Sequence, residues 1–134
     1  MQVGTTYTWK TEGVRFSGSL VLNDEEEYIP RVRVGHGIQG IGTGSSATYG
    51  VLEKGLMTEN GSFQAFFGLS NRSKESHLHG IYGLTYTPQG PVTFGYLRDG
   101  HNGHPFVSFT KDEYNIGVYL VAGETLGLSF GWSR

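Results

Sequence analysis

The sequence predicts an all-β fold in a single domain over residues 1–134. It is expected as an antiparallel meander of 8–10 short strands closed as a β-barrel, with a soluble barrel or β-sandwich as alternatives. Three observations lead there. Apolar residues recur at every second position in one segment after another, a period that fits a pleated strand and no helix. Glycine makes up 22 of 134 residues, against a usual share of about 7%, and much of it lies inside the alternating segments. Clusters of turn-forming residues separate those segments.

The segments read as follows. VRFSGSLVL puts Val14, Phe16, Leu20 and Leu22 on one face and Arg15, Ser17 and Ser19 on the other, and RVRVGHGIQ puts Val32, Val34 and Ile38 opposite Arg31, Arg33, Gly35 and Gln39. Phe63, Ala65, Phe67 and Leu69 oppose Ser62, Gln64 and Gly68. Leu78, Tyr82, Leu84 and Tyr86 oppose His77, His79, Gly83 and Thr85; Val92, Phe94 and Tyr96 oppose Thr93 and Gly95. Ser108 and Thr110 weaken the run at 105–110. Ile116, Val118, Leu120 and Ala122 form the next face, and Leu126, Leu128, Phe130 and Trp132 the last, opposite Gly127, Ser129 and Gly131. Turns are expected at 11–13, 23–30, 42–45, 58–61, 71–76, 87–90, 99–103 and 122–125.

Composition excludes several functions. Ten basic against twelve acidic residues, net −2, argue against a nucleic-acid partner, and the absence of cysteine removes disulfides and thiolate chemistry. Gly35, Gly37 and Gly40 spell G-x-G-x-x-G, but dinucleotide binding needs a helix whose free N–H groups receive the pyrophosphate. Residues 41–50, IGTGSSATYG, are poor helix formers, so no dinucleotide is expected. No G-x-S-x-G, H-E-x-x-H or phosphate-binding loop occurs, and Ser70 and Ser129 have no recognisable base. The acceptor patterns at Asn60-Gly61-Ser62 and Asn71-Arg72-Ser73 read as a turn and a loop, and Glu25, Glu26 and Glu27 as a solvated acidic turn.

The polar faces are unusual for a water-facing sheet. Gly35, Gly37, Gly68, Gly83, Gly95, Gly117, Gly127 and Gly131 all lie on them beside serine and threonine, where Lys, Glu and Thr would be ordinary. Small residues suit the crowded lumen of a narrow barrel, with the apolar faces turned to lipid. On this pattern, across residues 14–132, the chain resembles the small bacterial outer-membrane β-barrels as a class. LGLSFGWSR looks like their closing strand, while the terminal Arg134 departs from their usual terminal aromatic. The resemblance implies a non-enzymatic barrel, structural or adhesive through its loops, with the lipid bilayer as its partner. Tyr7, Trp9, Tyr49, Tyr86 and Trp132 fall near strand ends, as interfacial aromatics would, and equally fit core plugs. MQVGTTYTWK has no basic or apolar signal region, so an outer-membrane location requires a signal already removed, and the cytoplasm is expected otherwise. The alternative is a soluble barrel binding a small apolar ligand in its interior.

A third reading is a metal-dependent enzyme. No other cofactor is expected. If the loop of the hairpin at 77–101 is Pro88-Gln89-Gly90, Thr87 faces Pro91, His79 faces Asp99 and His77 faces His101. His77, His79, Asp99 and His101 then share one polar strand end, with His104 close by, and could ligate zinc or another divalent metal. His36, on the apolar face of a distant strand, would face lipid in the membrane reading and otherwise reads as a buried, hydrogen-bonded residue rather than a ligand.

Overall fold

The computed structural model describes residues 1–9, 13–38 and 46–134. They form ten strands: β1 (Gln2–Thr8), β2 (Gly13–Asn23), β3 (Arg31–Ile38), β4 (Ser46–Thr58), β5 (Gly61–Arg72), β6 (Leu78–Pro88), β7 (Val92–Arg98), β8 (Gly103–Lys111), β9 (Tyr114–Val121) and β10 (Thr125–Ser133). Each pairs antiparallel with its neighbours in sequence, and β1 pairs with β10 from Gln2↔Ser133 to Thr8↔Gly127. The meander thereby closes as a barrel without a free edge. Among the described residues there is no helix. Gly40 and the turn expected at 42–45 lie outside the described residues, and β3 runs through Gly35 and Gly37 as strand.

Period two cannot tell inside from outside, and exposure does. The apolar faces look outward: Phe16 is 78% exposed, Phe67 61% and Leu126 55%, whereas the interior is lined by Ser70, Arg72, Asp99 and His104 with a few aliphatic side chains such as Ile81 and Val121. His36 accordingly stands exposed on the outer face, its Nδ1 2.9 Å from Thr48 Oγ1, and is not the buried residue of the alternative reading. Of the two readings open for Tyr49, the core plug holds, since its ring lines the lumen.

The inward glycines have a specific reason. The inward rings Tyr49, Phe66, Phe106 and Tyr119 have as direct cross-strand partners Gly35, Gly83, Gly95 and Gly127. A Cβ at Gly35 would sit 2.4 Å from the Tyr49 ring, at Gly83 2.4 Å from Phe66 and at Gly95 2.3 Å from Phe106. At these three positions glycine leaves room for the ring to lie flat across the next strand in a lumen too narrow for two side chains. Phe106 and Tyr119 also stack, with centroids 4.9 Å apart.

Both termini meet at one rim, where the Met1 amine donates to the Arg134 carbonyl at 3.0 Å and the Arg134 N–H donates to the Met1 carbonyl at 3.1 Å. That rim also carries the connections at 24–30, 59–60, 89–91 and 112–113. The opposite rim carries the loops at 73–77, 99–102 and 122–124. We call these the terminus rim and the loop rim.

Candidate functional site

The residues able to do chemistry gather at the loop rim, around the ends of β5, β6, β7 and β8. The β6–β7 register that brings them there differs by two residues from the expected one. Tyr82 pairs with Arg98, Leu84 with Tyr96 and Tyr86 with Phe94, so Gln89-Gly90-Pro91 forms the loop and Pro88 stays in β6 opposite Gly61 of β5. Two contacts hold this arrangement: Thr87 Oγ1 lies 2.8 Å from Thr93 Oγ1, and the Thr110 N–H donates to the Pro91 carbonyl at 2.8 Å. A shift of two keeps every side chain on its expected face, with Tyr82 and Phe94 both outward, but it changes which residues meet.

Asp99 opens the Asp99-Gly100-His101-Asn102 turn and fixes its shape. Its Oδ1 accepts the N–H groups of His101 at 2.9 Å and Asn102 at 2.8 Å, while its own N–H donates to the Asn102 carbonyl at 3.1 Å. Its Oδ2 lies 3.0 Å from His104 Nε2 and 3.4 Å from Arg72 Nη2, and all three side chains are without exposed surface. His104 Nδ1 accepts the Ala122 N–H at 3.1 Å, so its proton sits on Nε2, facing Asp99. Burial pushes the Asp99 carboxyl up, but hydrogen bonds from His104 and from the Asn102 and His101 amides outweigh it and hold the pKa at about 2.

Arg72 ends β5 and ties the two loops to the wall. Its Nη2 donates to the Asp99 carbonyl at 2.5 Å and its Nη1 to Glu75 Oε1 at 3.5 Å. The other carboxylate oxygen, Glu75 Oε2, receives His79 Nε2 and, at 3.3 Å, His101 Nε2. Burial raises the Glu75 pKa, yet the His101 hydrogen bond and the charges of His79 and Arg72 bring it below the ordinary carboxylate value. His79 is buried on the inner face, and His101 and His77 reach solvent. The His79 ring lies 4.6 Å from that of His101 and 4.4 Å from that of His77. Gly100, at φ 96°, lets the turn approach, since a Cβ there would lie 2.6 Å from His79 Cβ.

Of the four residues singled out in sequence, the structure therefore joins His79, His101 and His77 and turns Asp99 toward Arg72 and His104. The carboxylate that meets the imidazoles is Glu75, and the cation behind it is Arg72. Neither stood out in the sequence: Glu75 sits in what reads as a polar turn, four residues before His79, and Arg72 in what reads as a loop although it ends a strand. The ligand atoms of Glu75, His79 and His101 all lie within 4.8 Å of one another, close enough to share one ion.

A second polar region lines the lumen toward the terminus rim. Arg33 donates to Gln2 Oε1 at 2.8 Å and to Glu53 Oε2 at 3.1 Å, with Arg31 3.8 Å from the same oxygen. The lumen also holds a cavity of about 210 Å³, lined by Gln2, Thr6, Ser17, Tyr49, Asn115 and Tyr119 among others. No protein-family model, curated protein or solved structure matches this chain.

Proposed function

We propose that this chain is a non-enzymatic, membrane-spanning β-barrel of outer-membrane type, with a structural or adhesive role exercised through its loops and the lipid bilayer as its partner. One observation carries the reading: large apolar side chains stand exposed on the outer face all around the barrel, while Arg72, Asp99, His104 and Glu53 are buried within it. Water would penalise that outer face on every strand, and hydrocarbon would favour it. A closed barrel also satisfies its backbone groups within itself, as a lipid setting demands.

Dimensions and details agree. From Leu78 to Tyr86 the outer face of β6 runs about 26 Å along the strand, about 20 Å in height at a tilt of about 40°. Such a band suits a thin bilayer of the outer-membrane kind. Aromatic side chains with polar ends sit near both rims: Trp132 Nε1 donates to Glu113 at 2.8 Å and Tyr86 Oη to the Asn60 carbonyl at 3.0 Å at the terminus rim, and Tyr7 packs edge-on against Trp9 at the other. An interior site for an apolar ligand has less support, because the cavity is small and rich in polar side chains.

Purification with and without detergent tests the reading. The chain should yield a folded, β-rich, monodisperse species only in micelles or vesicles and should precipitate when detergent is withdrawn. A monodisperse folded monomer in plain buffer would overturn it.

A further inference from the structure

We propose that Glu75, His79 and His101 form a binding site for one divalent transition cation of the zinc class at the loop rim. His79 Nε2 and His101 Nε2 come from different strands and loops yet converge on a single carboxylate oxygen, Glu75 Oε2. Two imidazoles and one carboxylate are the donor set of borderline cations, and zinc takes such nitrogen and oxygen ligands at about 2.0–2.2 Å. Ligands at that radius lie about 3.4 Å apart in a tetrahedron. The three donor atoms, all within 4.8 Å of one another, need only small side-chain rotations to reach it.

The surroundings orient these donors. Arg72 Nη1 engages Glu75 Oε1 and leaves Oε2 turned to the imidazoles. Asp99 pins the His101 backbone N–H, and Gly100 packs against His79. Such supporting contacts are what hold metal ligands in position elsewhere. His79 is 6% exposed and its buried Nε2 faces Glu75 Oε2, so a cation seated between the two would bind both. The fixed positive charge nearby, Arg72, is answered by Asp99 as well as by Glu75 Oε1, and Glu75 keeps Oε2 for the ion. The outer side stays open: His101 is 44% exposed, and His77, with its ring 4.4 Å from that of His79, can supply a fourth ligand or leave the position to water.

The site is independent of the membrane reading, since a soluble barrel with the same loops would bind equally. Calorimetric titration of the folded, untagged full chain with zinc chloride, in detergent if the chain requires it, decides the matter. One zinc per chain is expected. His79→Ala and His101→Ala should each weaken binding at least about 100-fold and Glu75→Gln at least about 10-fold, whereas His36→Ala should change nothing. His101 is exposed, so His101→Ala keeps the test valid if His79→Ala fails to fold. Absence of zinc uptake at neutral pH, or uptake that survives His101→Ala and Glu75→Gln, would overturn the proposal.

Discussion

The two rims of the barrel hold charge in opposite ways. At the terminus rim, Glu25 accepts the Gly55 N–H with both oxygens, at 2.9 and 3.0 Å, and lies 3.3 Å from Lys54 Nζ, which is 45% exposed. At the loop rim, Arg72, Asp99 and His104 have no exposed side-chain surface, and Asp99 is the partner that Arg72 and His104 share. The chemical groups are alike and their energetics are not. Water can replace the partners of Glu25 and Lys54, so a lost contact there costs little. Nothing replaces a lost partner at the loop rim, where removal strands a buried charge. The loop rim is therefore a preorganised frame able to support a ligand set, and the terminus rim is a chain reversal tied down at its surface.

The largest expected effect follows from that asymmetry. Arg72→Ala leaves Asp99 without its cation and unties Glu75, and should lower stability by about 3–5 kcal/mol, the usual cost of breaking a buried pair. Lys54→Ala at the opposite rim should leave the unfolding midpoint unchanged within error. Urea titrations of both variants in the same solvent compare them directly. Equal effects would erase the distinction between the rims.

Acid should separate the rims next. Both carboxyls have folded pKa values depressed below their ordinary ones: Glu25 chiefly through the Gly55 N–H, and Asp99, at about 2, through hydrogen bonds that outweigh its burial. A depressed carboxyl contributes stability above its unfolded pKa and loses it as pH falls through the folded value. For Asp99 the window runs from about 3.8 down to about 2 and represents on the order of 2 kcal/mol. Amide resonances can follow each rim: Gly55 N–H should respond to acid below 4.5, and the His101 and Asn102 N–H groups only near pH 2. Asp99 titrating at its ordinary value would mean that its hydrogen bonds do not hold in solution.

How much of this was legible depended on what the outward face carried. Strands such as β5, β6 and β10 show sustained apolar alternation and were readable, because their outward positions are mostly apolar and their inward ones mostly small or polar. β1 and β4 were not. β1 has Thr5 between Val3 and Tyr7, and β4 turns Tyr49 and Val51 inward while Thr48, Gly50 and Lys54 face out, so neither keeps one sign per face. The glycines could be assigned to a crowded face, but matching them to Tyr49, Phe66 and Phe106 required the register between strands. The site suffered most from register. A slip of two residues spares every face and exchanges every partner, so the sequence sets His79 and His101 on the correct face but sets Asp99 where Glu75 meets the imidazoles.

The smallest expected effect carries the contrast from the rims to the wall, where inward positions are bound to neighbours and outward ones are not. Gly83 and Gly80 lie three residues apart on β6 and face opposite ways. A Cβ at Gly83 would sit 2.4 and 2.6 Å from Phe66 ring atoms and 2.7 Å from the Tyr96 carbonyl, whereas a Cβ at Gly80 meets nothing within 4 Å. Gly83→Ala should therefore cost about 1–3 kcal/mol through overpacking. Gly80→Ala should stay within about 0.5 kcal/mol, helped by the lower chain entropy of alanine in a strand. Shortening the ring tests the cause: in a Phe66→Leu background the cost of Gly83→Ala should fall, with the Tyr96 carbonyl setting what remains. Strictly additive costs in that double-mutant cycle would separate the glycine from the ring, and ring packing would no longer account for glycine at this inward position.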